Sequence, residues 1–144
     1  MAQLNLSERD FAEALDSRSS VPVYDIMKRA QVGIAGLGGL GSNIAAALAR
    51  AGVGRIVAAD FDAVELSNIN RQMYTLQHIG MKKAEAMAQI IAEINPFCDF
   101  EAHDIRVTAD NIGELFGDCD IICEAFDVAD DVSAPAGAGN ALRA

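Results

Sequence analysis

What the chain has little of already limits what it can be. In its 144 residues there is no tryptophan, and there are only three prolines, two histidines and three cysteines. No uninterrupted apolar run approaches the roughly 18 to 20 residues of a membrane-spanning helix, so no membrane partner is expected. The start, MAQLNLSERDF, has neither a basic stretch nor an apolar core; no signal peptide is read there, and the expected setting is cytoplasmic. Cys98, Cys119 and Cys123 are odd in number and form no C-x-x-C pair, which argues against a disulfide framework and against a cysteine zinc site. Cations are scarce: 11 Lys and Arg against 21 Asp and Glu leave a formal charge of -10, the wrong sign for gripping a nucleic-acid backbone. Nucleic acid is not an expected partner, and each cation beside a candidate site gains meaning, because a polyphosphate has to be neutralised locally.

What is present is 51% hydrophobic and 22% charged, the composition of a globular domain with one core. SERDFAEALD, residues 7 to 16, reads as a short helix capped by Ser7, and residues 23 to 30 as a second one after Pro22. QVGIAG is then a buried strand and SNIAAALARAG a helix stopped by Gly52. Residues 55 to 60 form a second strand. In residues 81 to 95, Ala84, Met87, Ala88, Ile91 and Ile94 fall at helical spacing, and Pro96 closes the helix. CDFEAHD alternates weakly as a strand, residues 108 to 118 read as a helix capped by Thr108, and residues 120 to 126 as an apolar strand. Alternating strands and helices predict an α/β, Rossmann-like, mostly parallel sheet with helices on both faces. The expected organisation is an N-terminal helical segment (1–30), a nucleotide-binding domain (31–127) and a flexible tail (128–144) rich in Ala, Gly, Pro and Asp.

Between the first strand and its helix lies GIAGLGGLGSN, with Gly36, Gly38 and Gly41 spaced G-x-G-x-x-G and Gly39 beside them. Glycines there let the chain turn tightly and let phosphate or ribose approach backbone N–H groups at a helix N-terminus. Asp60, 19 residues beyond Gly41 at the end of the second strand, stands where an acid accepts hydrogen bonds from ribose hydroxyls. To this point a nicotinamide-dependent dehydrogenase and an ATP-using enzyme fit equally.

The following segment, FDAVELSNINRQ, places Asn68, Asn70, Arg71 and Gln72 beyond the carboxyl end of a strand, where ligands of open α/β sheets bind. Hydride transfer needs no such cluster, whereas a triphosphate has to be clamped by cations and amides to react in line. Lys82 and Lys83 open the next helix, from which a lysine reaches toward the same phosphates. Asp127, after the last apolar strand, is either a loop-capping acid or one carboxylate ligand for Mg²⁺.

In "GLGGLGSN", "AGVGRIVAADFDAVELSNINRQ", "IGMKKAEA", "INP" and "CEAFD" the chain resembles the ThiF/MoeB/HesA family, bacterial relatives of ubiquitin-activating enzymes, over residues 30 to 127. The style of these motifs is most similar to short ThiF-like sulfur carrier adenylyltransferases. The resemblance implies ATP and Mg²⁺ as ligands and adenylylation of the C-terminal glycine carboxylate of a ThiS-like, ubiquitin-fold sulfur carrier protein, in thiamine biosynthesis or a related sulfur transfer. It also implies a homodimer. Carried over by position, Gly36, Gly38, Gly39 and Gly41 hold the adenosine and α-phosphate side, and Asp60 the ribose. Asp62, Asn68, Asn70, Arg71, Gln72 and Lys83 complete the nucleotide contacts. Arg71, Lys83 and Asp127 are the implied catalytic residues, with Asp127 the metal ligand, and Arg18 falls near an arginine that crosses the family's dimer interface. Beyond Asp127 the resemblance ends: Val128 stands where the family has Asn, and the sheet is expected to stop short with an exposed last strand. Two alternatives to the enzyme stand beside it: a catalytically incomplete ATP- or carrier-binding module, and an NAD-dependent oxidoreductase domain, which would give Arg71 and Lys83 no task.

The remaining candidates have simpler readings. Cys123, inside an apolar strand, is expected to be a small buried hydrophobe. His78 and His103 have no companion nucleophile or ligand set, and Met73 and Tyr74 are expected to pack beside the loop.

Overall fold

The computed structural model describes residues 4–126 and the backbone of 140–143. Its centre is a parallel sheet in the order β3-β2-β1-β4-β5, with β1 Gln31–Ala35, β2 Arg55–Asp60, β3 Asp99–Asp104, β4 Ile121–Glu124 and β5 Asn140–Arg143. Strand β1 pairs with β2 on one side and with β4 on the other, so the order of connection reverses at β1. That reversal opens a crevice at the carboxyl ends of β1 and β4, the place where such sheets take ligands.

Alternation along the strands divides the core in two. Val32, Ile34, Ile56, Ala58 and Cys123 face α3 (Gly41–Ala51) and α4 (Lys83–Ile94), while Ala35, Val57, Ala59 and Ile122 meet α5 (Ile112–Phe116) on the other side. Helices therefore lie on both faces, as the βα alternation predicts. Cys123 is buried and its thiol pKa is pushed up by that burial, in keeping with an inert packing role. On α4 the buried stripe runs through Ala84, Ala86, Met87, Ile90 and Ile91; Ala88 and Ile94, expected inside, are half-buried because the helix sits rotated between sheet and α3.

The first helix follows its expected bounds closely. In α1 (Glu8–Asp16) Ser7 and Asp10 cap each other, and Asp16 accepts from the Val23 and Tyr24 N–H groups at the start of α2 (Tyr24–Met27). The second helix is shorter than the sequence suggests. Its exit is tied to the sheet by Gly54 and Arg55, whose N–H groups donate to Met27 and Ala30. Thr108 does not cap α5; the N-cap is Asn111, whose side chain instead accepts from the Thr108 N–H at 2.8 Å and holds the preceding turn.

The C-terminal edge differs from expectation. Residues 140–143, read from sequence as part of a flexible tail, form β5, which pairs in parallel with β4 from Ile121↔Asn140 to Glu124↔Arg143. The last apolar strand is thus covered rather than exposed, and the opposite edge, β3, carries Asp99, Glu101, His103 and Asp104, charges that discourage edge-to-edge pairing. The rest of the tail, and Asp127, lie outside the described residues. Among the described residues no helix is long and apolar enough to cross a membrane.

Candidate functional site

The glycine loop is shaped by contacts that leave no space for side chains. Gly36 has φ of +101°, and a Cβ on it would meet the Ala125 carbonyl oxygen at 2.8 Å. At Gly41 a Cβ would fall 1.7 Å from the Gly36 carbonyl oxygen, so α3 can start here only without one. Ser42, fully buried in the first turn of α3, donates from its hydroxyl to the Gly38 carbonyl at 2.6 Å and accepts from the Met73 N–H at 3.2 Å. Loop and helix are thereby pinned to the segment that follows β2.

Asp60 ends β2 beside this loop. One carboxylate oxygen accepts from the Leu37 N–H at 2.7 Å, the other from the Asp62 N–H at 2.7 Å. A carboxylate has about four acceptor positions, so ribose hydroxyls can still be received. Tyr74 closes the back: it is buried, and its hydroxyl donates to the Leu37 carbonyl at 2.6 Å. Burial, with the Asp60 charge adding to it, pushes this phenol well above its ordinary pKa. Met73 packs at the same margin, so both residues are beside the loop as expected.

The polar cluster is built as a clip between β2 and α4. Ala63 and Lys82 form an antiparallel bridge, Val64 donates to Met81, and Lys83 donates its backbone N–H to Asp62 at 2.9 Å. Within the clip are two single 3-10 turns, Leu66–Asn68 and Leu76–His78. Asn68 accepts from the Glu65 N–H at 2.8 Å, and His78 accepts through Nδ1 from the Thr75 N–H at 2.9 Å, a structural role that fixes its ring beside Tyr74. Asn70 accepts from Arg71 Nη1 at 3.1 Å. The Arg71 side chain lies along the glycine loop, with Nε 3.6 Å from where a Gly39 Cβ would stand. Asn43, on α3, bridges the Gly39 and Arg71 carbonyls at 2.7 and 3.0 Å.

Two groups in the clip are buried without full satisfaction. Lys83 is only 6% exposed, yet its ammonium has one carboxylate partner among the described residues, Asp62 at 3.9 Å. Gln72 is equally buried, and its Oε1 has no hydrogen-bond partner there. Buried polar atoms are rarely left so; an anion would complete the Lys83 ammonium, whereas the Gln72 Oε1 acceptor calls for a donor. Asp60 thus bonds both the glycine loop and Asp62, Arg71 lies along the loop at Gly39, Lys83 pairs with Asp62, and Asn68, Asn70 and Gln72 stand in the same clip. Arg18 is exposed in the turn after α1, and His103 joins Glu101 and Arg55 in an ionic row along β2 and β3. Sequence reasoning missed Asn95, fully buried at the end of α4, whose side chain donates to the Ala49 carbonyl at 3.0 Å and so caps α3. The motif "INP" was its only trace.

A glycine loop at a topological switch point and an acid at the next strand end define an α/β domain of Rossmann type. The chain belongs to the ThiF family, whose model matches residues 12–132. It is 39% identical over 95 residues to ubiquitin-like modifier-activating enzyme 5 of Arabidopsis thaliana, covering 66% of this chain and 22% of that protein. To the sulfur carrier protein adenylyltransferase of Thermus thermophilus it is 37% identical over 102 residues, 70% of this chain and 38% of the relative. Among solved structures, the tRNA N6-threonylcarbamoyladenosine dehydratase of E. coli in complex with ATP superposes with a TM-score of 0.77 at 32% identity, over 85% of this chain and 52% of the other. E. coli MccB solved with ATP gives a TM-score of 0.64 at 27% identity, over 74% and 32%. The chain therefore spans well under two thirds of the length of these relatives.

Proposed function

We propose that this chain binds ATP and adenylylates the C-terminal carboxylate of a small ubiquitin-fold carrier protein. The observation that carries the reading is the buried, under-partnered ammonium of Lys83, 3.9 Å from Asp62, whose N–H in turn bonds the Asp60 carboxylate that also holds Leu37 of the glycine loop. Family membership and the ATP complexes of two structural relatives support the nucleotide. A dinucleotide-dependent oxidoreductase would have no use for that charge.

A carboxyl terminus has a pKa of about 3.5 and is ionised at neutral pH, so its attack on the α-phosphorus needs no general base. The carboxylate oxygen forms a bond to phosphorus as the bond between the α-phosphorus and its bridging oxygen breaks, and pyrophosphate leaves with the electron pair. Catalysis then rests on alignment and on neutralising charge as it moves to the leaving group. In this reading the main chain at Gly36, Gly38, Gly39 and Gly41 receives the adenosine and α-phosphate side, and Asp60 the ribose. Asn68, Asn70, Arg71, Gln72 and Lys83 take the phosphates, Gln72 by donating from its amide nitrogen. Mg²⁺, if held by Asp127, would supply further positive charge against the leaving pyrophosphate.

The carrier is ThiS-like, the pathway thiamine synthesis or a related sulfur transfer, the assembly a homodimer and the setting the cytoplasm. The relative named sulfur carrier protein adenylyltransferase supports that carrier, and the relatives named ubiquitin-like modifier-activating enzyme support a ubiquitin-fold substrate more broadly. The test is ATP–pyrophosphate exchange with a Gly-Gly-ended carrier, beside titrations of ATP and NAD. Carrier-dependent exchange is expected. ATP binding without exchange would reduce the chain to a binding module, and binding of NAD alone would overturn the reading.

A further inference from the structure

Beneath the glycine loop lies a buried hydroxyl that the proposed reaction leaves without a task. Tyr74 donates from it to the carbonyl of Leu37, itself fully buried, at 2.6 Å. That carbonyl belongs to the peptide joining Leu37 to Gly38. In a planar trans peptide the C=O and N–H point in opposite directions, so a carbonyl anchored toward the core turns the Gly38 N–H away from it. The two preceding amides are already engaged: the Gly36 N–H donates to the Ala59 carbonyl at 2.9 Å and the Leu37 N–H to the Asp60 carboxylate at 2.7 Å. Gly38 is half-buried, and its N–H has no acceptor among the described residues. Its own carbonyl accepts from the Ser42 N–H at 3.0 Å and hydroxyl at 2.6 Å. The peptides on both sides of Gly38 are thus fixed, one by Tyr74 and the other by Ser42.

We propose that Tyr74 is a positioning residue: by holding the Leu37 carbonyl it aims the Gly38 N–H into the crevice as a donor to the nucleotide's α-phosphate. This role rests on the ATP reading and adds the group that sets the polarity of the loop. A buried carbonyl needs a donor. Without the Tyr74 hydroxyl, the Leu37 carbonyl regains one by turning toward water in the crevice, and the same rotation withdraws the Gly38 N–H. An oxygen then faces the anion where a donor stood. Glycine at 38 leaves that rotation sterically open, because a residue without a Cβ accepts either orientation of the preceding peptide at little cost. The hydroxyl therefore selects between two orientations that the backbone alone allows.

The test is Tyr74→Phe, which removes the oxygen and keeps the ring. Calorimetric titrations of the full chain with ATP, AMP and adenosine are paired with isotope-labelled amide spectra that follow Gly38, and nucleotide-free melting curves confirm folding. In the wild type the Gly38 amide proton should shift on addition of ATP or AMP but not of adenosine. Tyr74→Phe should abolish that shift and weaken ATP and AMP by about tenfold, the scale of one hydrogen bond to a charged acceptor, while leaving adenosine unchanged. Ser42→Ala, which loosens the loop but leaves the Leu37 carbonyl held, should keep the Gly38 response. A response that survives Tyr74→Phe, adenosine weakened as much as ATP, or a wild-type Gly38 amide unmoved by bound ATP would overturn the positioning role while leaving ATP binding intact. A wild type that binds no ATP would overturn the functional reading and this role together.

Discussion

Residues 36–41 and residues 61–82 border the same crevice, yet the first stretch is fixed by main chain packed on main chain and the second by side chains that bond back to it. At Gly36 and Gly41 the neighbouring carbonyl oxygens stand where a Cβ would go, so geometry is set by close approach and no side chain enters. In the clip, Asn68, His78 and Asn70 satisfy backbone or side-chain donors, while Gln72 and Lys83 remain incompletely partnered. One wall is set by close backbone contacts; the other holds the charge and polarity that the proposed function assigns to the ligand. Structure and chemistry are thus divided between two loops, and substitutions should separate them.

Gly41→Ala should have the largest effect, since its Cβ cannot coexist with the Gly36 carbonyl. We expect destabilisation of about 3 kcal/mol or more, the cost of severe overpacking, together with loss of ATP binding; denaturant unfolding measures it, and a stable variant would mean the loop can yield. Lys83→Met should do the opposite kind of damage. Carrier-dependent turnover should fall by about a hundredfold or more, as when a charge-stabilising group is removed. Stability should stay within about 1 kcal/mol, because an apolar side chain replaces a cation with a distant partner and leaves Asp62 solvated. A large fall in melting temperature would make Lys83 structural and blur the contrast.

Ser42→Ala cuts the link between the two walls. Loss of its bonds to Gly38 and Met73 should cost about 1–2 kcal/mol and weaken ATP binding modestly, without a selective effect on turnover. The smallest effect is away from the crevice, at Glu101. Hydrogen bonds from Arg55 and then His103 hold its carboxyl below the usual glutamate range. A depressed acid contributes stability above its unfolded pKa of 4.5 and loses it as pH falls through the folded value. Glu101→Gln should therefore flatten the acid limb of the melting-temperature profile by an amount worth less than about 1 kcal/mol, since the pair is partly solvated. An unchanged acid limb would remove the ionic row from the account of stability.

Much of the sheet was legible because each strand is a short apolar run next to a turn signal or a helical period. QVGIA and RIVAAD need no partner to be recognised, and Gly52 and Pro96 mark helix ends chemically. Strand β5 was not legible: NALR follows a stretch rich in Gly and Ala, and its pairing with β4 is a long-range event that local sequence does not encode. The capping of α5 was misread because Thr108 and Asn111 are both good cap residues, and only the three-dimensional turn decides between them. At the crevice, the glycine spacing and the polar run announced a site. Nothing local revealed that Lys83 would be buried, because that depends on α4 docking with its first turn under the 61–82 clip.

The absence of tryptophan gives the hydroxyl bond of Tyr74 a practical meaning. The two tyrosines are the chain's only strong ultraviolet emitters, Tyr24 paired with Glu8 far from the crevice and Tyr74 bonded to the carbonyl of Leu37 at its floor. Tyrosine emission is sensitive to what its hydroxyl donates to. The Tyr24→Phe variant would thus carry a single native fluorophore whose brightness follows the glycine loop, an optical gauge that needs no label.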